Sequence, residues 1–143
     1  MDVAAVVFSG LEGRLRAQED SRVRVLLIDD YQPFLAVVAN LLRRQPGVEV
    51  VGQAYAGGSG LCLAAELKPD LVLVDFGMPD MDGVAVTRRL KQAPDAPLVV
   101  VMSFFQESRF RDEALDAGAD AYLYKGDLHR ELVPLLRRGL SGA

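Results

Sequence analysis

Residues 71–83 read LVLVDFGMPDMDG: four apolar residues run straight into Asp75, and a proline and two glycines then turn the chain away. A continuous apolar run marks a strand covered on both faces. A carboxylate at the tip of such a strand is costly to bury without a partner. The stretch therefore predicts a buried strand that delivers an acid to one edge of a sheet, where it has chemical work to do.

On either side of this stretch the chain alternates between strand and helix patterns. VRVLLI at 23–28 ends at Asp29 and Asp30. Phe34, Val37, Val38, Leu41 and Leu42 then follow at helical spacing, closed by Gln45, Pro46 and Gly47. VEVVGQA at 48–54 is a second strand, and 59–67 a second helix stopped by Lys68 and Pro69. After the strand LVLV come a short helix over 84–91, the strand LVVVM, and a fourth helix over 106–117 ending at Gly118. AYLY makes a fifth strand and 128–138 a last helix, in which Pro134 predicts a kink or a late start. Crossovers of this length force parallel pairing. The predicted fold is α/β, a doubly wound five-stranded parallel sheet between two helical layers, with the charge-bearing VEVVGQA at an edge.

With 143 residues the chain suits one domain with one well-filled core. Its net charge of −4 disfavours nucleic acid as a direct partner, because phosphate binding needs a concentrated basic face. The single cysteine, Cys62, excludes an internal disulfide and reads as a small core residue on a helix. The opening MDVAAVVF lacks a basic n-region and is too short to span a membrane, so a cytoplasmic protein is expected. Residues 1–22 form an N-terminal extension, either a flexible tail or one extra helix, since Val3, Val7, Leu11 and Leu15 fall on one helical stripe. The domain itself is expected over 23–140.

In an open parallel sheet the ligand site lies beyond the carboxyl ends of the strands. Those ends carry Asp29 and Asp30, Asp75, Ser103, and Tyr122 with Lys125. Singly, each has a simpler explanation. Asp29, Asp30 and Ser103 suit helix caps, and Lys125 suits a solvated loop. Together, three acids cannot sit ionised without a counter-charge. A hard cation with oxygen ligands and room for water answers that need, which points to Mg²⁺. An aspartate beside such an ion and a lysine is equipped to attack phosphorus, so the expected product is an aspartyl phosphate.

On these residues the chain resembles the receiver domains of bacterial two-component response regulators. The matching elements are Asp29 and Asp30, Asp75 with Met78-Pro79 and Met81-Asp82-Gly83 behind it, Ser103, Tyr122 and Lys125, in order and at agreeing spacings. The resemblance implies the flavodoxin-like strand order 2-1-3-4-5, a doubly wound example of which is the chemotaxis receiver. It implies that Asp75 accepts a phosphoryl group from a histidine kinase or a histidine phosphotransfer protein. It further implies that Asp29, Asp30, Asp75 and the Gly77 backbone carbonyl serve Mg²⁺, Asp29 largely through water, and that Lys125 holds a phosphoryl oxygen. Ser103 and Tyr122 would be the switch pair, Ser103 moving to the phosphate and Tyr122 turning inward. The surface of the fourth helix, fifth strand and fifth helix would then change its preference for a downstream protein target or a second copy. Such a chain is a phosphoacceptor switch and not a turnover enzyme.

Two positions depart from the family pattern. Phe104 stands where a small residue is usual, so slow loss of the phosphoryl group is expected. Gly126 follows Lys125 in place of a proline, as in receivers resembling those of LuxR-type regulators, and a looser lysine loop is expected. Too few residues follow Lys125 for a helix-turn-helix output domain, which needs roughly 60 more. A stand-alone receiver is therefore expected unless the chain is a fragment of a longer regulator. The alternatives are a receiver-shaped adaptor that is never phosphorylated and an aspartyl-phosphate phosphatase. Gly77 speaks against the phosphatase, because hydrolases resembling the haloacid dehalogenases need an acid there. His129, the only histidine, is read as a surface residue in preference to a relay donor.

Overall fold

The computed structural model describes residues 22–133. The expectations for the N-terminal extension and for Pro134 lie outside them. Five strands, β1 (Val23–Ile28), β2 (Val48–Ala54), β3 (Leu71–Asp75), β4 (Leu98–Ser103) and β5 (Ala121–Tyr124), form one sheet in the order β2-β1-β3-β4-β5. All four pairings are parallel. Between the strands run α1 (Gln32–Arg43), α2 (Gly57–Leu67), α3 (Gly83–Leu90) and α4 (Ser108–Asp116). A 3₁₀ turn over Lys125–Asp127 leads into a last helix, α5, described over 128–133. The expected sheet, its order and its edge strand β2 are all present.

Alternation along each strand divides the core in two. Val25 and Leu27 of β1, with Leu71 and Leu73 of β3, pack against Leu35, Val38, Ala39 and Leu42 of α1 and Leu128 and Leu132 of α5. Leu26, Ile28, Val72 and Val74 face the other way, onto Ala64 of α2, Val86 and Leu90 of α3 and Ala114 of α4. Burying both faces explains why β1, β3 and β4 are apolar apart from Arg24 and the polar tips Asp75 and Ser103.

Three local expectations are corrected. The second helix begins at Gly57, two residues before the expected 59, because Asp80 from the β3–α3 loop accepts hydrogen bonds from the amides of Gly57 and Gly58 at 3.0 and 2.9 Å. Those two bonds satisfy amides that a helix start leaves unpaired, and they hold the Asp80 carboxyl below its ordinary pKa. The fourth helix starts at Ser108 and not at 106. Cys62, expected in the core, is exposed on α2, where Gly57, Gly60 and Ala64 form the buried face.

Gly83 shows how tightly the fold holds the tip of β3. A Cβ there would lie on the carbonyl oxygen of Asp75 and 2.9 Å from its carbonyl carbon. Gly83 also donates from its amide to the Phe76 carbonyl at 2.7 Å, so the backbone cannot easily retreat. Gly83→Ala is expected to destabilise the fold by about 2 kcal/mol, the cost of overpacking a rigid contact. The urea midpoint of unfolding reads this, and an unchanged midpoint would show that the loop yields freely.

Candidate functional site: an acidic pocket with a buried lysine

Each strand end delivers its residue for a local reason. β1 is buried through Ile28, so the next position, Asp29, is carried into the protein at 0% exposure, while Asp30 turns out to solvent. Asp75 ends β3, its amide plane fixed by the neighbouring bond from the Phe76 amide to the Met102 carbonyl at 2.8 Å. Ser103 ends β4 and is buried. Lys125 opens the 3₁₀ turn directly after β5 and reaches back across the sheet edge.

Neither alternative reading of Asp29, Asp30 and Ser103 as caps holds. Tyr31 occupies the cap position of α1 and Glu107 that of α4, neither with a side-chain bond to its helix. Asp29 Oδ1 accepts from the Tyr31 amide at 2.9 Å. Its Oδ2 accepts from Lys125 Nζ at 2.8 Å, and Lys125 Nζ lies 2.9 Å from Asp75 Oδ1. Lys125 is thus no solvated loop charge. Its side chain is only 3% exposed and bridges two buried carboxylates.

One carboxylate oxygen from each of Asp29, Asp30 and Asp75 lies within 4.8 Å of the others. Lys125 offsets one of the three negative charges, and the surplus shows in Asp75. Burial pushes its carboxyl above the ordinary range, the hydrogen bond from Lys125 opposes this, and the Asp29 and Asp30 charges add to it. The pocket therefore sets three acids against a single buried cation. An all-oxygen donor set with Asp30 open to solvent suits a small divalent ion, which takes oxygen ligands and keeps several waters. Gly77 lies exposed in the loop after Asp75, with open space around its Cα.

Around this centre lie the hydroxyl residues. Ser103 Oγ accepts from the Phe105 amide at 2.9 Å, and the half-buried Tyr122 donates its phenolic proton to the Phe105 carbonyl. Burial raises the Tyr122 pKa, with a hydrogen bond from the Ser103 hydroxyl opposing and the Glu107 charge adding. The site also holds a residue that sequence reasoning passed over. Phe34 of α1, read there as one more apolar position of a helical stripe, places its ring 4.5 Å from Lys125 Nζ. Phe104 lies 5.0 Å from the same ammonium and meets Phe34 edge-on at 6.1 Å. The lysine is thus held between two carboxylates and two aromatic faces, contacts that attract an ammonium and exclude water from its stem. Its position four residues after Asp30 on α1 was the one available signal for Phe34. His129 is exposed.

Among known proteins, the model of the response regulator receiver domain matches residues 25–137. The transcriptional regulatory protein LiaR of Bacillus subtilis is 36% identical over 121 residues, 84% of this chain and 57% of LiaR. The response regulator protein VraR of Staphylococcus aureus is 34% identical over 120 residues, with the same coverage. This chain therefore spans 57% of the length of these curated relatives. Among solved structures, the signal receiver domain of the putative response regulator NarL from Mycobacterium tuberculosis superposes with a TM-score of 0.77 at 31% identity, covering 85% of this chain and 98% of that one. A LuxR-family two-component response regulator from Aurantimonas gives the same TM-score at 32% identity, covering 85% and 87%. No helix among the described residues is long and apolar enough to cross a membrane. A matched domain model over most of the chain, relatives above 30% identity and an acidic pocket at the carboxyl edge of the sheet all lead to one assignment: the chain belongs to the response regulator receiver domain family.

Proposed function

We propose that Asp75 is the phosphoacceptor of a signalling switch, taking a phosphoryl group from a histidine kinase or a histidine phosphotransfer protein. The observation that carries this reading is Lys125, buried and bonded to both Asp29 and Asp75. Asp75 Oδ1 faces that ammonium, so its second oxygen is the one available to attack. In the transfer an O–P bond forms at Asp75 as the P–N bond of a phosphohistidine breaks, and the departing imidazole takes up a proton. Lys125 is placed to hold an equatorial oxygen of the moving group.

Asp29, Asp30, Asp75 and the Gly77 carbonyl would hold Mg²⁺. When bound, that ion neutralises charge on the phosphoryl oxygens. Ser103, one strand over, would donate its hydroxyl proton to the phosphoryl group, and Tyr122 would follow the loop that Ser103 anchors. The face formed by α4, β5 and α5 would then favour a different downstream protein or a second copy. The chain acts as a switch whose phosphoryl group biases two arrangements and does not create the second.

Magnesium-dependent incorporation of one phosphoryl group from acetyl phosphate, read by intact-protein mass, tests the proposal. No incorporation under any phosphodonor would favour a receiver-shaped adaptor. Phe104 bears on how long the group survives. The residue is 58% exposed but its ring lies over Lys125 Nζ, between bulk water and the site. Phe104→Ala is expected to shorten the lifetime of the phosphorylated protein several-fold, and an equal decay rate in both proteins would remove any shielding role.

A further inference from the structure

We infer that Phe105 and Phe110 are positioning residues that carry the state of the Asp75 site to α4 through an aromatic stack, an inference that rests on the switch reading above. The backbone of Phe105 is held by both hydroxyl residues of the site: its amide donates to Ser103 Oγ, and its carbonyl accepts from Tyr122. Its ring stacks on Phe110 of α4, with centroids 4.7 Å apart and planes inclined by 25°. One residue therefore touches the switch pair with its main chain and the helix with its side chain.

The rest of the cluster gives this stack a fixed base. Phe76, the residue after Asp75, meets Phe110 edge-on at 5.3 Å and Phe105 at 6.4 Å. Its own backbone is pinned at both ends, by the Met102 carbonyl and the Gly83 amide. Arg109 covers the outer face of Phe110 at 4.6 Å. By contrast α4 has a single buried residue, Ala114, near its far end. The first turn of α4 is thus attached to the body of the protein chiefly through Phe110. A helix held this way is free to shift when its aromatic partner moves.

The coupling follows from geometry. When Ser103 rotates toward a phosphoryl oxygen on Asp75, its Oγ withdraws from the Phe105 amide. The Phe105 backbone must then shift with Ser103 or lose that bond, and Tyr122, bonded to the same residue, moves in concert. As the Phe105 backbone follows Ser103, its ring slides on Phe110 while Phe76 stays in place, and the start of α4 is displaced. Phe104, the neighbouring ring, points to Lys125 and takes no part in this route.

The test uses the full chain labelled with ¹⁵N, with Mg²⁺ and acetyl phosphate as the phosphodonor. Mass spectrometry reads Asp75 labelling, and amide spectra read the response of Arg109, Phe110 and Ala114. Phe110→Leu is expected to keep labelling while reducing the α4 response about fivefold, in line with the loss of a stacking contact. Phe110→Tyr keeps the ring and should restore the response, which a purely structural role would not require. Phe105→Leu, at a half-exposed position, should repeat the loss and covers the case in which Phe110→Leu folds poorly. Leu115→Ala, an exposed change on the same helix outside the stack, should leave the response intact. A full α4 response in labelled Phe110→Leu and Phe105→Leu overturns the inference and leaves the switch reading standing. A wild-type protein that takes no label overturns both.

Discussion

Asp75→Asn is expected to abolish phosphoryl incorporation and, in metal-free buffer at neutral pH, to make the protein more stable. The first effect follows because an amide oxygen is a far weaker nucleophile than a carboxylate, and Asp29 cannot substitute, both its oxygens being held by the Tyr31 amide and Lys125. The second follows from the raised pKa of Asp75. A carboxyl whose pKa is higher folded than unfolded binds more protons in the native state, so stability falls as pH rises from the unfolded value of 3.8 through the higher folded one. In EDTA the wild type should therefore lose stability with rising pH in that window relative to Asp75→Asn. Mg²⁺ should stabilise the wild type and act more weakly on the variant. Urea midpoints measured at several pH values, with EDTA or with Mg²⁺, read all of this. Wild type and variant with parallel pH profiles in EDTA would show that folding does not raise the Asp75 pKa, and label on Asp75→Asn would place the phosphoacceptor elsewhere.

Lys125→Met should act in the opposite direction. Methionine fills similar space but leaves Asp29 and Asp75 buried without their shared cation. Breaking a buried ion pair from one side costs about 3 kcal/mol, because the remaining charge keeps its desolvation penalty. The loss should be largest in EDTA and smaller in millimolar Mg²⁺, since a divalent ion would replace part of the missing positive charge. Phosphoryl incorporation should slow by about a hundredfold, the loss typical of removing one donor that stabilises developing charge. Denaturant unfolding with and without Mg²⁺, together with the labelling rate, checks both parts. A Lys125→Met protein as stable as wild type in EDTA would mean that the three acids are already neutralised by protonation.

These two variants separate the roles that the pocket combines. On the proposed reading Asp75 carries the chemistry at a cost in stability, and Lys125 offsets that cost while facing the reacting group. Phe34 and Phe104 hold the ammonium in place from the other side, so changes at either ring reach the acids through Lys125. Gly83 secures the carbonyl end of Asp75 and Asp80 ties the same loop to α2. The loop after Asp75 is thereby braced by both, which suits the proposed switch, whose acid must hold its geometry while the β4–α4 segment moves.

Much of this was readable in the chain. The apolar runs before Asp29, Asp75 and Ser103 state where strands end, because a strand buried on both faces tolerates a polar residue only at its tip. The helix patterns between them require parallel crossovers, and parallel crossovers in turn bring every strand end to one edge. The acids, the hydroxyl and the lysine therefore converge for reasons that lie in periodicity and connection length alone. What neither rule contains is the direction of a side chain once it reaches that edge. Whether Lys125 dissolves in solvent or bridges Asp29 and Asp75, whether Cys62 faces core or water, and whether α2 begins at 57 or 59 depend on contacts between segments far apart in the chain. Asp80 capping a helix that precedes it by more than twenty residues has no local signature, nor has the division of labour between Phe104, which lies over the lysine, and Phe105, which stacks on α4. Those choices belong to the packed molecule, because burial and hydrogen-bond partners exist only once the layers have closed.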